Sequence, residues 1–337
     1  MTNFNRRQTL GMMGGVAAAS MIGAPAFANT TIKVGALRFT SHAASFVAFE
    51  RGYFADAGLD VEFEFFQSAQ PMAVAIASGD ADYAVTAISG GLISLAEKGA
   101  TKVIGGALSE EPGIDGQKII ASNAAFDAGL TDPSMLDGKK FGISQAGSSF
   151  HYMGAKIAAA EGVSVEFIPL NTVGAIIGAI KSGNIDAWSI VPHIAKPLAG
   201  AGAVHIIGNV SDYLPNYQVT TVFTSANNAA NERAKSEAFL AAFSKGAADF
   251  NAALVDKTAG EAAAEDMVKL VHKYVYTDRE YARAAPSIIN GAMRINAGAA
   301  LRVASVQDQL DWFKSESLVK DSVTIDTLVD QSYVEMI

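Results

Sequence analysis

The sequence contains no cysteine. This absence excludes disulfide bonds, thiolate metal sites and cysteine nucleophiles, and also the lipid-modified cysteine that tethers many exported proteins to a membrane. Charged residues make up only 18% of the chain, and their net charge is −9. Because nucleic-acid binding depends on basic residues that neutralise phosphates, we expect no nucleic-acid partner for this acidic chain.

Motifs of catalysis are equally scarce. No serine occupies a Gly-x-Ser-x-Gly elbow, and neither a phosphate loop nor a dinucleotide fingerprint is present. No two histidines have the i, i+4 spacing of a helical metal site. The sequence therefore predicts a protein that is not an enzyme, with no catalytic residue, no metal and no cofactor. The histidines are His42, His151, His193, His205 and His272.

Residues 1–28 are predicted to be a signal peptide. Arg6 and Arg7 form a basic start, a short apolar stretch follows, and residues 26–28, Ala-Phe-Ala, give a small-x-small cleavage pattern. The segment NRRQTLG resembles a twin-arginine export signal; the alternative is an ordinary secretory signal that holds two arginines. Either route leads out of the cytoplasm. No later segment is long and apolar enough to span a membrane, so we expect a periplasmic protein without stable membrane insertion.

Half of the sequence is hydrophobic, and strand-like and helix-like stretches alternate along it. This alternation predicts an α/β fold with mainly parallel sheets flanked by helices. It occurs twice, over residues 31–112 and over residues 117–222. From Glu232 onward the pattern is mainly helical, so the helical tail is expected to pack on one of the two units.

The stretch FGISQAGSSFHYMGAKIAAAEG, residues 141–162, joins a short strand to a helix through small polar residues. The first N–H groups of a helix lack internal partners, and the helix dipole adds partial positive charge there. Hydroxyl and N–H groups together bind an oxyanion without a lysine. The alternative is that Ser148 only caps the helix. From this segment alone both interpretations stay open.

Three parts of the sequence resemble a known family. FVAFERGYFADAGLDVEF resembles its first helix and second strand, and AIASGDADYAVTA resembles the approach to its third strand. LDGKKFGISQAGSSFHYMGAKIAAAEG together with AIKSGNIDAWSIVPHIAKP resembles its second lobe. The sequence thus resembles the periplasmic solute-binding proteins of ABC importers for nitrate, sulfonates, taurine and thiamine precursors. The resemblance implies the type II periplasmic-binding fold, in which two α/β lobes close on a solute. One position departs from it, because Val191 stands where many members carry an acidic residue.

On this basis lobe 1 is expected to comprise residues 29–112 and 224–337, and lobe 2 residues 113–223. The chain would cross between the lobes near residues 111–113 and again near residues 219–223. The ligand would lie in the cleft between the lobes.

Ligands of open α/β sheets bind outside the carboxyl ends of the strands. This rule selects the candidate ligand-binding residues Arg38, Ser41, His42, Gln67, Thr86, Ser89, Gln145, Gly147, Ser148, Ser149, His151, Asn171, Trp188 and His193.

Most of these candidates also have a purely structural interpretation. Arg38 is the only cation among them and suits a bidentate contact with an anion, but it fits equally a solvent-facing loop. His42 and His151 fit hydrogen-bond donors or satisfied histidines, and Trp188 fits the floor of a pocket or the core. If most of Phe39, Phe46 and Phe150 line the cleft, a flat aromatic or heterocyclic ligand is favoured over a small oxyanion.

The predicted function is that of the solute-binding subunit of an ABC importer. Its partners would be a small solute, a membrane permease and the permease's ATPase subunit, and the protein would be a monomer. The first choice of solute is an aliphatic, taurine-like sulfonate. The alternative is a thiamine-precursor pyrimidine or an aromatic acid. The alternative of another class is an enzyme on the same two-lobed fold, such as a lyase or a pyrimidine synthase.

Overall fold

The structure is a computed structural model that describes residues 31–337. The predicted signal peptide lies outside these residues. Within them, no helix is both long and apolar enough to cross a bilayer. Likewise, no group of three or more His, Asp or Glu side chains in residues 31–337 is placed to hold a metal ion.

The described chain forms two five-stranded sheets with the same strand arrangement. The first sheet has the order β2-β1-β3-β10-β4, and β10 alone runs antiparallel to its neighbours. Its strands are β1 (Thr31–Ala36), β2 (Asp60–Phe65), β3 (Tyr83–Thr86), β4 (Thr101–Gly106) and β10 (Thr221–Ser225).

The second sheet has the order β7-β6-β8-β5-β9, and here β5 is the reversed strand. The predicted α/β class is confirmed, with one antiparallel strand in each sheet. The strands are β5 (Lys118–Ser122), β6 (Lys139–Ile143), β7 (Val165–Pro169), β8 (Ala187–Ile190) and β9 (Val204–Asn209).

Helices flank both sheets and continue into the tail. We call the first sheet with helices α1–α4 lobe 1, the second sheet with helices α5–α8 lobe 2, and residues 226–337 the tail. The helices are α1 (Ala43–Glu50), α2 (Tyr53–Asp56), α3 (Ala69–Ser78), α4 (Gly90–Glu97), α5 (Asn123–Asp127), α6 (Ser149–Glu161), α7 (Val173–Lys181), α8 (Pro192–Gly200), α9 (Ala226–Asn231), α10 (Arg233–Phe250), α11 (Glu261–His272), α12 (Tyr281–Ile289), α13 (Val303–Ser315) and α14 (Ile325–Leu328).

Each lobe has an aromatic core. In lobe 1 the ring of Phe239, from the tail, stacks between Tyr83 and Phe54, with ring centroids 4.3 and 5.1 Å away. In lobe 2 Trp188 is fully buried, and Phe150 meets it edge-on at 5.4 Å. The structure thus places Trp188 in the core.

Residues 40–56 do not form one continuous helix. A 3-10 turn (Thr40–His42) leads into α1, and the chain then bends at Gly52, whose φ is +75°, before α2. An L-residue avoids this left-handed backbone region because its Cβ crowds the following carbonyl. The bend therefore depends on glycine.

Replacing Gly52 with alanine is expected to lower the free energy of unfolding by about 1 to 2 kcal/mol. Among residues 31–337, no atom beyond the two adjacent residues lies within 4 Å of the added Cβ, so the loss comes from the backbone alone. The control is Gly178→Ala, in the exposed part of α7 and equally free of neighbours, which should gain about 0.5 to 1 kcal/mol. Chemical denaturation of both variants checks this; equal effects would contradict the explanation.

The tail packs on both lobes, so the expectation that it packs on one is wrong. Helix α10 packs along α1 so closely that a Cβ on Gly246 would lie 2.2 Å from the Ala44 carbonyl oxygen. Helix α12 packs against α8 of lobe 2. Helix α13 reaches α6, where Asp308 accepts hydrogen bonds from Tyr152 and Lys156.

Two crossings join the lobes side by side. The first runs from β4 to β5, and the second from β9 to β10. They pair at Ser109 and Gln218, and the Gln218 amide donates to the carbonyls of Leu108 and Thr220. Strand β10 enters the first sheet at Thr221, three residues before the predicted lobe boundary.

Candidate functional site

A cavity of about 60 Å³ lies between the lobes, where the two crossings meet them. Its polar lining consists of Ser41, His42, Ser68, Thr86, Gln117, Ser144, Ser148, Ser149 and Thr220. Its apolar lining consists of Leu37, Phe39, Ala69, Ala87, Phe150, Val173, Ile190, Val191 and Val219.

Several helices begin on the cavity wall. Helix α6 begins at Ser149, after Ser148, whose hydroxyl accepts from the His151 N–H at 3.3 Å. Helix α3 begins after Ser68, and α7 begins at Val173. Their free N–H groups and dipoles bring partial positive charge to this space.

No lysine, arginine, aspartate or glutamate side chain lines the cavity within the part of the chain that the structure describes. Among residues 31–337, the one titratable group on the cavity wall is His42. Burial lowers the pKa of His42 to about 4, and a hydrogen bond with the Val85 backbone opposes this with a smaller increase in the pKa. The imidazole is therefore neutral at pH 7, and its Nδ1 lies 3.0 Å from the Ser41 hydroxyl.

The structure brings five of the fourteen predicted ligand residues onto the cavity wall. They come from both lobes, and the two serines differ in that Ser148 is the N-cap of α6 whereas Ser149 is its first residue. The five are Ser41, His42, Thr86, Ser148 and Ser149.

Three other predicted residues connect the lobes. His193 Nδ1 lies 2.8 Å from the Thr40 hydroxyl. The Gly147 carbonyl accepts from the Gly90 N–H at 2.9 Å. Gln145 donates from its amide to the Gln70 amide oxygen at 3.2 Å. These contacts close the cleft around the cavity.

The remaining six lie away from the cavity. The Arg38 guanidinium stacks on the Phe65 ring of lobe 1 at 3.7 Å and donates to the Tyr274 carbonyl of the tail, so the only predicted cation points away from the cavity. The others are placed as follows: Gln67 and Asn171 are exposed, Ser89 caps α4, His151 packs against Trp312, and Trp188 is core.

The profile of the NMT1/THI5-like family matches residues 39–253, more than half of the chain. The chain belongs to this family. A search of curated proteins gives no match.

Solved structures similar to this NMT1/THI5-like protein share its fold. The aliphatic sulphonate binding protein SsuA from Escherichia coli is 18% identical with a TM-score of 0.69, covering 92% of this chain and 94% of SsuA. The nitrate-binding protein NrtA from Synechocystis PCC 6803 is 15% identical with a TM-score of 0.72, covering 90% and 87%. A point mutant of DszB in complex with biphenyl-2-sulfinic acid is 14% identical with a TM-score of 0.54, covering 89% and 96%. The periplasmic-binding fold is thereby confirmed.

The sequence prediction missed Gln117, Val219 and Thr220 of this NMT1/THI5-like protein. Each precedes a strand, whereas the search considered residues that follow strands. Strands β5 and β10 are reversed in their sheets, so their first residues lie at the edge where the parallel strands end. The register shows this, because Lys118 pairs with Ile190 and Thr221 pairs with Thr86.

Proposed function

We propose that this protein is the periplasmic solute-binding subunit of an ABC importer. It holds a small organic anion between its lobes, with an aliphatic sulfonate as the first choice, and performs no chemistry on it. A permease and its ATPase subunit receive the solute, and the protein acts as a monomer.

The composition of the cavity carries this proposal. Hydroxyl groups and helix N-termini offer hydrogen-bond donors and partial positive charge, the ordinary means of holding an oxyanion without a cation. No carboxylate lies on the wall among residues 31–337, so an anion meets no like charge there. The apolar half of the wall suits an alkyl chain.

The size of the cavity supports a small solute. About 10 to 15 Å³ of such space holds one water molecule, so 60 Å³ corresponds to about four to six non-hydrogen atoms. A sulfonate with a short alkyl chain is of this size. The names of two structural neighbours, a sulphonate-binding and a nitrate-binding protein, support an anion as well.

A second candidate solute is an aromatic acid or a pyrimidine. Phe39 and Phe150 line the cavity, and their faces would suit a flat ring. Phe46 does not take part, because it is buried in lobe 1 and stacks on Tyr274 at 4.5 Å. A ring would need the lobes to sit farther apart than in this structure.

The enzyme alternative has one observation behind it, the contact between Ser41 and His42 on the cavity wall. A general base works best when its pKa lies near the operating pH. Burial holds the pKa of His42 at about 4, which makes it a weak base. We therefore keep binding as the proposed role.

Capture would proceed by a hinge motion about the two crossings. Solute binding favours the closed arrangement, in which the contacts Thr40–His193, Gly90–Gly147 and Gln70–Gln145 form. The solute shifts an open–closed equilibrium because it contacts both lobes only when they are closed.

A thermal-shift screen tests the proposal. The panel comprises short alkanesulfonates, taurine, nitrate, bicarbonate, aromatic acids and aminopyrimidines, in buffers that lack a sulfonate group. A solute at 100 times its Kd stabilises the native state by about 2.7 kcal/mol. A shift with alkanesulfonates is expected. A shift with aromatic compounds alone would select the second candidate, and turnover of any solute would refute the binding role.

Replacing Ser148 with alanine is expected to weaken solute binding about tenfold or more, since a hydrogen bond to a charged group contributes about 1.5 to 3 kcal/mol. It also removes a helix cap, at about 1 kcal/mol of stability. Ser225→Ala is the matched control, because Ser225 caps α9 away from the cavity through Asn228 N–H at 3.0 Å. Titration calorimetry should show weaker binding for the first variant alone; equal Kd values would remove Ser148 from the site.

A further inference from the structure

Glu110 is a fully buried acid between the two crossings. Its backbone N–H donates to the Tyr217 carbonyl of the second crossing at 2.9 Å. One carboxyl oxygen, Oε1, accepts from the Gln117 N–H at 2.9 Å. The other, Oε2, has no hydrogen-bond partner among residues 31–337.

Gln117 connects this acid to the cavity. It lines the cavity wall, and the residue is 2% exposed. The side chain lies close enough to Glu110 to lower the pKa of the carboxyl. Even so, in the described part of the chain the Gln117 Nε2 forms no hydrogen bond of normal geometry, and neither does the nearby Tyr217 hydroxyl.

Three neighbouring buried groups with unused hydrogen-bonding capacity are unusual. Leaving one such group unsatisfied costs about 1 to 3 kcal/mol, so folded proteins keep few of them without a function. Gln117 lines the space where the solute is proposed to bind, and Glu110 contacts both Gln117 and Tyr217 through its carboxylate and its backbone N–H.

An amide side chain offers an acceptor at one atom and a donor at the other. When Glu110 is ionised, its carboxylate accepts from the Gln117 NH₂ group, which leaves the amide oxygen for the cavity. When Glu110 is protonated, its O–H donates to the amide oxygen, and the NH₂ group is free for the cavity. An anion in the cavity favours the second arrangement, and its charge also opposes ionisation of Glu110.

We propose that Gln117 is a solute-binding residue and that Glu110 is its positioning residue, so that binding of an anionic solute is coupled to the uptake of a proton by Glu110. The proposal rests on the proposed function, since it requires an anion in this cavity. Proton and solute then bind cooperatively.

The charges around Glu110 permit this exchange near neutral pH. Burial raises the pKa of Glu110 to about 7, Lys118 lowers it and Asp115 raises it. Asp115 is itself paired with Lys118 and Lys196. Tyr217, on the second crossing, stays protonated because burial and Glu110 both raise its pKa.

Calorimetric titration with the alkanesulfonate that gives the largest thermal shift tests the coupling. It is run at pH 6, 7 and 8, in two sulfonate-free buffers of different ionisation enthalpy. The wild-type protein should take up part of a proton at pH 7, and its Kd should rise roughly fivefold from pH 6 to pH 8. His42 titrates near pH 4, below this range.

Variants separate the two roles. Glu110→Gln should bind with no proton uptake and a Kd independent of pH, and Gln117→Leu should bind weakly at every pH. Glu111→Gln is the matched control, because Glu111 is the next residue and pairs with Arg294 instead; it should keep the wild-type profile.

Two results would overturn the coupling while leaving the proposed function intact: solute binding with no proton uptake in the wild-type protein, or uptake that persists in Glu110→Gln. Release of a proton on binding of the alkanesulfonate would have the opposite sign to the expected uptake and would also overturn the coupling. If no member of the panel binds at any pH, the proposed function fails and the coupling fails with it.

Discussion

Replacing Ala87 with leucine is expected to remove most solute binding while the protein still folds. Ala87 follows β3 and lines the cavity, with 8% of its surface exposed. Leucine adds three carbon atoms to a cavity of about 60 Å³. Overpacking of this kind costs about 1 to 3 kcal/mol in the closed state, which corresponds to a roughly 5- to 150-fold weaker Kd.

We expect the open state to hold the larger side chain, because the cavity lies between the lobes. The thermal stability without solute should therefore change little. Ala55→Leu is the matched control, since Ala55 lies on the exposed side of α2. Calorimetry should show weak binding for Ala87→Leu and normal binding for Ala55→Leu. Normal binding by both would place the solute elsewhere.

The second large effect concerns stability and pH. Burial raises the pKa of Glu110 from 4.5 to about 7. Between these values the folded protein keeps a proton that the unfolded chain has lost, so the free energy of unfolding falls as the pH rises. This loss of stability is absent below pH 4.5 and complete above pH 7, where it lowers the free energy of unfolding by about 3 kcal/mol.

The Glu110→Gln variant cannot ionise and should escape this loss. Its stability relative to the wild-type protein is expected to rise by up to about 3 kcal/mol between pH 4.5 and pH 8. Denaturant unfolding of both proteins at several pH values measures the difference between their free energies of unfolding. The titration of every other group affects both proteins equally and does not contribute to this difference. The Glu111→Gln variant should show no such rise. A difference that stays constant across this range would show that Glu110 is ionised in the folded protein.

The two α/β units were predictable from the sequence. Strand-like and helix-like stretches alternate over residues 31–112 and over residues 117–222, and this hydrophobic pattern is a local signal. The family resemblance is confirmed by the match over residues 39–253. The lobe boundaries and the set of ligand-binding residues remain predictions, since nothing in the comparisons tests them.

The placement of the tail was not predictable in the same way. Helices α10, α12 and α13 are amphipathic or small-residue segments, and their sequences do not state which surface they cover. Close packing determines where the tail lies. Gly246 allows α10 to approach α1, because a Cβ at this position would clash with the Ala44 carbonyl. Gly291 allows the tail to approach His193, whose Cβ would lie 2.1 Å from a Cβ at position 291. This complementarity between two surfaces can be recognised only in the folded structure.

The sequence by itself determined the class of fold, the two repeated units and the hydroxyl-rich start of α6 at Ser148 and Ser149, because short-range patterns encode all of these. Only the tertiary structure decided that Arg38 faces away and that Gln117 and Thr220 reach the cavity. It also decided that Glu110 is buried beside them. The physical reason is the reversal of β5 and β10, since long-range pairing carries the beginnings of these strands to the edge where the others end.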